Sequence, residues 1–145
     1  MRSGILEFDS AIFNQLSPEE VTANFTSMSE QFAPGDDLIF QLESGYGLLR
    51  VIAVEPLDGK TVWHLSAYEE LFGDIESAEH ALTIPDSLHI RKKHMALTER
   101  AFERTPAARI GNRPVTDQEL AMYEDWKRGG GQVFDRSALL MLGLR

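Results

Sequence analysis

The sequence predicts an α+β protein dominated by β structure. It reads as a small bent antiparallel sheet or SH3-like barrel, with one helix before it and helical structure after it. Three observations carry this reading. Residues 35–55, GDDLIFQLESGYGLLRVIAVE, hold two apolar runs around a glycine-containing turn. In the first, Leu38, Phe40 and Leu42 alternate with Ile39, Gln41 and Glu43, the period-two signature of a half-buried strand. The second observation is Pro56-Leu57-Asp58-Gly59-Lys60, which turns the chain into a third strand over 61–67 and completes a meander. The third is a pair of helix-start signals on either side of this β core.

The first start signal is Ser17-Pro18-Glu19-Glu20, a capping serine followed by proline at the first helical position. Val21, Phe25, Met28 and Phe32 then fall on one face, so a helix is expected over 18–32, ended by Pro34-Gly35. Its apolar stripe is expected to cover the second face of the strand over 48–54. Upstream, the apolar residues among 1–16 suit either a short helix or an edge strand.

Beyond the meander, Ile75, Ala78 and Leu82 predict two helical turns over 74–82, although the preceding AYEELFG is an equally good start. Alternation returns over 87–97, interrupted by Arg91-Lys92-Lys93, where a bend or bulge is expected. Residues 98–106 fit a helical turn or a loop, and 107–110 a short closing strand. Thr116-Asp117-Gln118-Glu119 is a second capping box. It opens a helix that places Leu120, Tyr123 and Trp126 together, with Met122, and that stops at Gly129-Gly130-Gly131. A last apolar run, 138–144, either docks on the core or provides a homodimer contact. The expected organisation is a single domain over 1–145, with a helical addition at 18–32, a β core at 35–113 and a helical extension at 116–145.

The chain of 145 residues has no cysteine, which removes disulfides, thiol nucleophiles and thiolate metal sites. No apolar run suits a signal peptide or the roughly 18 residues of a membrane span. A soluble, cytoplasmic protein is expected, with no membrane partner. The net charge of −9 is uneven: residues 1–90 are strongly acidic, whereas 91–113 carry seven basic against two acidic side chains. An acidic body disfavours nucleic acid and steers a basic protein toward it. The basic segment, with Phe102 as its one aromatic, lacks the stacking residues of a single-strand binder. Its expected role is pairing with the protein's own acids.

No catalytic spacing emerges. His64, His80, His89 and His94 form no metal-ligand motif, and His89 and His94 would point to opposite faces of a strand. Asp36-Asp37, Glu69-Glu70 and Glu124-Asp125 are neighbours in sequence and so diverge in space. Gly45-Tyr46-Gly47 joins two strands, not a strand and a helix, so it is no phosphate cradle. The reading is therefore of a protein that is not an enzyme and needs no cofactor or metal. Tyr46, flanked by glycines, either anchors a partner or folds back over the sheet. With the acids Asp36, Asp37 and Glu43 it makes the expected partner-binding surface.

The order of elements over about residues 33–120 resembles immunity protein family twenty-six of bacterial polymorphic toxin systems. The resemblance rests on Gly35-Asp36-Asp37-Leu38-Ile39-Phe40, on Tyr46-Gly47-Leu48-Leu49-Arg50-Val51, and on Ile110-Gly111-Asn112-Arg113-Pro114 before Asp117-Gln118-Glu119. The N-terminal helix and the apolar end beyond residue 120 depart from the family pattern. The resemblance implies a non-enzymatic protein that neutralises a toxin by binding it, and the acidic first ninety residues suit a basic one. The alternative is a housekeeping β domain that self-associates or binds a small ligand.

Overall fold

A computed structural model describes residues 32–144. The helix expected over 18–32 lies outside the described residues except for Phe32. Five strands form one antiparallel sheet: β1 (Asp36–Leu42), β2 (Gly45–Leu57), β3 (Lys60–Tyr68), β4 (Ile90–Thr98) and β5 (Ala107–Asn112). Their order is β4-β3-β2-β1-β5. β4 and β5 are opposite edges that do not pair, so the sheet stays open and the barrel alternative is corrected. Four helices complete the described chain: α1 (Ile75–Leu82), α2 (Glu99–Glu103), α3 (Asp117–Arg128) and α4 (Ala138–Leu142).

The β1–β2 hairpin differs from the expected one in its turn. Leu42 pairs with Gly45, so Glu43 and Ser44 alone make the loop, and Tyr46 lies within β2 opposite Gln41. The glycines serve close approach instead. A Cβ on Gly47 would stand 2.5 Å from the Phe40 ring, and one on Gly45 2.4 Å from the Phe72 carbonyl oxygen. The β2–β3 loop follows its sequence signal. Asp58 and Gly59 both take positive φ, the type I′ geometry that matches strand twist.

Every strand of the meander is buried on both faces, because helices cover each side. On the first face Leu38, Phe40, Leu49, Val51, Trp63, Leu65, Met95 and Leu97 form the main core with Phe102 of α2 and Ala138 and Leu142 of α4. Trp63 stacks on Phe102 with ring centroids 4.5 Å apart. Phe32 packs on this same face, edge-on to Phe102.

The second face is divided. Ile39, Leu48 and Tyr68 meet Ala78 of α1 and Leu88, while Arg50 reaches Glu119 of α3. α1 and α3 cover this second face. β4 carries the expected irregularity: Leu65 and Ala67 face Met95 and Lys92, leaving one extra residue on β4. Its outer edge is closed by Phe134, which exchanges backbone hydrogen bonds with Ala96 and Thr98 at 2.8 and 3.0 Å. α4 docks on the core as one of the two readings required, with Leu140, 69% exposed, left facing outward.

Candidate functional site

The polar half of the second face begins with Arg50, whose side chain is 1% exposed in the middle of β2. A buried guanidinium is tolerable only when its donors are satisfied and its charge is paired. Nε donates to Glu119 Oε2 at 2.5 Å, and Nη2 to Glu119 Oε1 at 3.1 Å. Nη1 donates to the Gly35 carbonyl at 2.8 Å and reaches Asp37 Oδ1 at 3.4 Å. Nη2 also donates to the carbonyls of Arg113 and Pro114, both at 3.0 Å. One side chain thereby ties the entry to β1, the linker after β5 and the first turn of α3.

Glu119 serves two structures at once. Its Oε1 accepts from the Thr116 backbone while Thr116 Oγ1 accepts from the Glu119 N–H, so the capping box seen in the sequence is complete. Burial pushes its carboxyl up, but hydrogen bonds from Arg50 and the Thr116 backbone outweigh this and hold it below its ordinary value.

Asp36 and Asp37 lie inside this network and not on a contact surface, at 0% and 1% exposure. Asp37 takes a bidentate pair from Arg113, Nε to Oδ2 and Nη2 to Oδ1, both 2.9 Å. Arg113 Nη2 also donates to the Tyr68 hydroxyl at 2.9 Å. The Asp37 carboxylate is the chief reason the Arg113 guanidinium is held more firmly protonated than usual. Asp36 accepts from Asn112 Nδ2 at 2.7 Å and from the Ala33 N–H at 2.8 Å, with Arg109 3.7 Å away. Their charge is neutralised internally, which corrects the expectation that they face a partner.

Tyr46 and Glu43 stand elsewhere, at the end of the sheet. Glu43 is exposed in the turn. Tyr46 is half-buried against the α1-side cluster, and its backbone pairs with Phe72 through bonds of 2.7 and 2.8 Å. Tyr46 thus folds back in part, over the apolar cluster below α1 and not over Trp63. The loop at Phe72 brings Leu71, 49% exposed, and Ile75, 43% exposed, to the same end. Glu69, Glu70, Asp74, Glu76 and Glu79 flank them in the chain, and residues 61–90 contain no lysine or arginine. Glu70 clasps the loop to β4 by accepting from the His89 N–H at 2.9 Å and engaging His89 Nδ1 at 2.5 Å. Glu70 thereby raises the exposed His89 above its ordinary value.

The structure also assembles a cluster that sequence spacing did not reveal. His94, His64 and Glu55 form a diagonal across three strands. His64 is paired with Ala96 and Ala53, so His94 and Glu55 are its two-residue diagonal neighbours on one face. His64 Nε2 lies 2.7 Å from Glu55 Oε1, and its Nδ1 lies 2.9 Å from His94 Nε2. Tyr123 and Trp126 of α3 pack edge-on against the His64 ring at 4.6 and 4.5 Å. Tyr123 is hydrogen-bonded to Glu55, and Lys127 Nζ sits 4.7 Å from the Tyr123 ring centroid. Burial lowers both imidazoles, His64 against the raising effect of Glu55 and His94 to about 4 with His64 adding to the effect.

No spacing rule joins His64 to His94, thirty positions apart; the β3–β4 pairing brings them together. A charged Arg50 inside an apolar run, and a His64 between Trp63 and Leu65, were the available signals of a buried polar layer. The basic segment behaves as expected where contacts are seen. Arg100 pairs with Asp135, Arg109 and Arg113 meet Asp36 and Asp37, and Arg91 donates to the Leu142 carbonyl at 2.9 Å.

Among the described residues, no group of three His, Asp or Glu side chains could hold a metal ion. None of the described helices is long and apolar enough to cross a membrane. What the fold defines is a β-rich α+β protein with one open five-stranded sheet. No family model, curated protein or solved structure matches the chain.

Proposed function

We propose that the chain is a non-enzymatic protein-binding domain that docks a basic partner on the acidic end of its sheet. The resemblance to the immunity proteins narrows that partner to a basic toxin. One observation carries the reading: exposed Leu71 and Ile75 lie in a stretch with Glu69, Glu70, Asp74 and Glu76 that has no lysine or arginine between residues 61 and 90. Apolar anchors rimmed by one sign of charge suit a partner that is apolar at its centre and basic at its rim. Tyr46 supports the patch from beneath, and Asp36 and Asp37 no longer belong to it.

The test is calorimetric and kinetic titration against the product of the adjoining gene. The double variant Glu43→Lys/Leu71→Arg is expected to weaken binding roughly tenfold or more, with slower association at low salt carrying the charge share. Equal affinity for wild type and variant would overturn the reading. A second reading, self-association through the last helix, rests on the exposure of Leu140 alone. Sedimentation of Leu140→Glu against wild type decides it, since a dimer built there would dissociate.

A further inference from the structure

The His64–His94 pair has no part in the proposed docking surface, and its geometry fixes where protons can stand. With Glu55 ionised, its carboxylate accepts from His64 Nε2–H, 2.7 Å away. The neutral His64 then presents a lone pair at Nδ1, which accepts from His94 Nε2–H across 2.9 Å. Of the ring nitrogens, the one left with an open lone pair is therefore His94 Nδ1. A proton added there creates an imidazolium beneath Trp126, separated from Glu55 by a whole imidazole ring. A second proton, on His64, would set two N–H groups against each other and break the bridge.

The groups facing the pair are Glu55 from β2 and Tyr123 and Lys127 from α3, with His64 and His94 themselves on β3 and β4. Lys127 adds positive charge. α3 is held weakly, for none of its residues is fully buried. Its first turn is anchored by the Arg50–Glu119 pair, whereas its later turns rest on Tyr123 and Trp126 against the histidines.

We propose that Glu55, His64 and His94 form a proton-operated latch, in which neutral imidazoles seat the C-terminal part of α3 and a proton on the pair unseats it. His94 is partly buried beneath Trp126, and lifting Tyr123 and Trp126 off the sheet opens both rings to water. Arg50 and the Thr116 backbone hold the Glu119 carboxyl below its ordinary value, so the first turn keeps its anchor and the helix hinges there.

Amide hydrogen exchange across 117–131, corrected for the intrinsic effect of pH, tests this. Protection near Trp126 is expected to fall roughly tenfold for each pH unit below about 6, while β2 and β3 keep theirs. His94→Gln retains a donor in place of Nε2–H but does not titrate, and should make α3 protection flat with pH. Flat protection in wild type, loss shared equally with β2 and β3, or an unchanged slope in His94→Gln each overturns the latch. Should His94→Gln fail to fold, the ring nitrogen shifts of wild-type His94 decide. Titration in step with α3 exchange supports the proposal, and titration independent of it refutes it.

Discussion

The two halves of the second sheet face are held by different physics although they share strands. Below α1, Ile39, Leu48 and Tyr68 meet Ala78 and Leu88 as apolar packing, which is non-directional and tolerates small shifts. Below α3, Arg50, Asp37, Glu119, His64 and Glu55 are joined by directed hydrogen bonds that fail once one partner moves. The difference teaches why each helix has its own character. α1 seats one fully buried alanine and needs little sequence specificity. α3 buries no residue completely and is placed by Glu119 at one end and by two aromatic rings at the other. The polar half is therefore fixed in position and sensitive to charge, and the apolar half is sensitive to volume.

The largest effect should come from Arg50→Met. It leaves Glu119 and Asp37 without their shared cation and strips donors from the carbonyls of Gly35, Arg113 and Pro114. Breaking a buried pair from one side typically costs about 3–5 kcal/mol, and this site is of that kind. Urea unfolding measures it, and a loss below about 1 kcal/mol would mean that the network contributes geometry without stability. Leu48→Ala probes the other half. A fully buried leucine truncated to alanine costs about 2–5 kcal/mol through lost burial and the residual cavity. The sharper distinction is in salt. High salt should change the Arg50→Met penalty little because the pair is buried, and should leave the Leu48→Ala penalty without an electrostatic component.

The same division explains what could be read from the sequence. Strand and helix positions were legible because β1, β2 and β3 carry long apolar runs and because Asp58-Gly59 and the Thr116–Glu119 box have specific local chemistry. The turn at residues 43–44 was misplaced because Gly45 and Gly47 signal turns equally well. Their actual constraint, the Phe72 backbone and the Phe40 ring, comes from distant residues. Asp36 and Asp37 looked like surface acids for a similar reason. Their partners Asn112, Arg109 and Arg113 lie more than seventy positions away, and only Arg50 and the Ala33 N–H are nearer. The open edge likewise follows from β5 returning beside β1, which no local pattern encodes.

A pH scan distinguishes the halves without mutation. His64 and His94 have folded values below their ordinary ones, so unfolding takes up protons as pH falls. Their contribution is fully present above about 6.5 and is lost as pH drops toward about 4. The exposed His89, raised by Glu70, works in the opposite sense and supports its loop clasp at lower pH. The expected outcome is a net fall in denaturant midpoint across that window, flattened by His94→Gln. A midpoint that rises on acidification would show that the clasp outweighs the buried pair.

The smallest effect belongs to the cap of α3, and it tests whether the helix depends on its own start signal or on the sheet. Thr116→Ala removes the Oγ1 acceptor for the Glu119 N–H but leaves the Glu119 carboxylate on Arg50. Losing an N-cap side chain costs about 1 kcal/mol in an ordinary helix. Here the reciprocal bond from the Thr116 N–H to Glu119 Oε1 survives, because it uses backbone. The loss should therefore lie at or below about 1 kcal/mol and be confined to the first turn in amide exchange. If Thr116→Ala instead loosens Tyr123 and Trp126 as strongly as acidification does, then the capping box, and not the histidine pair, is what holds the far end of α3 on the sheet.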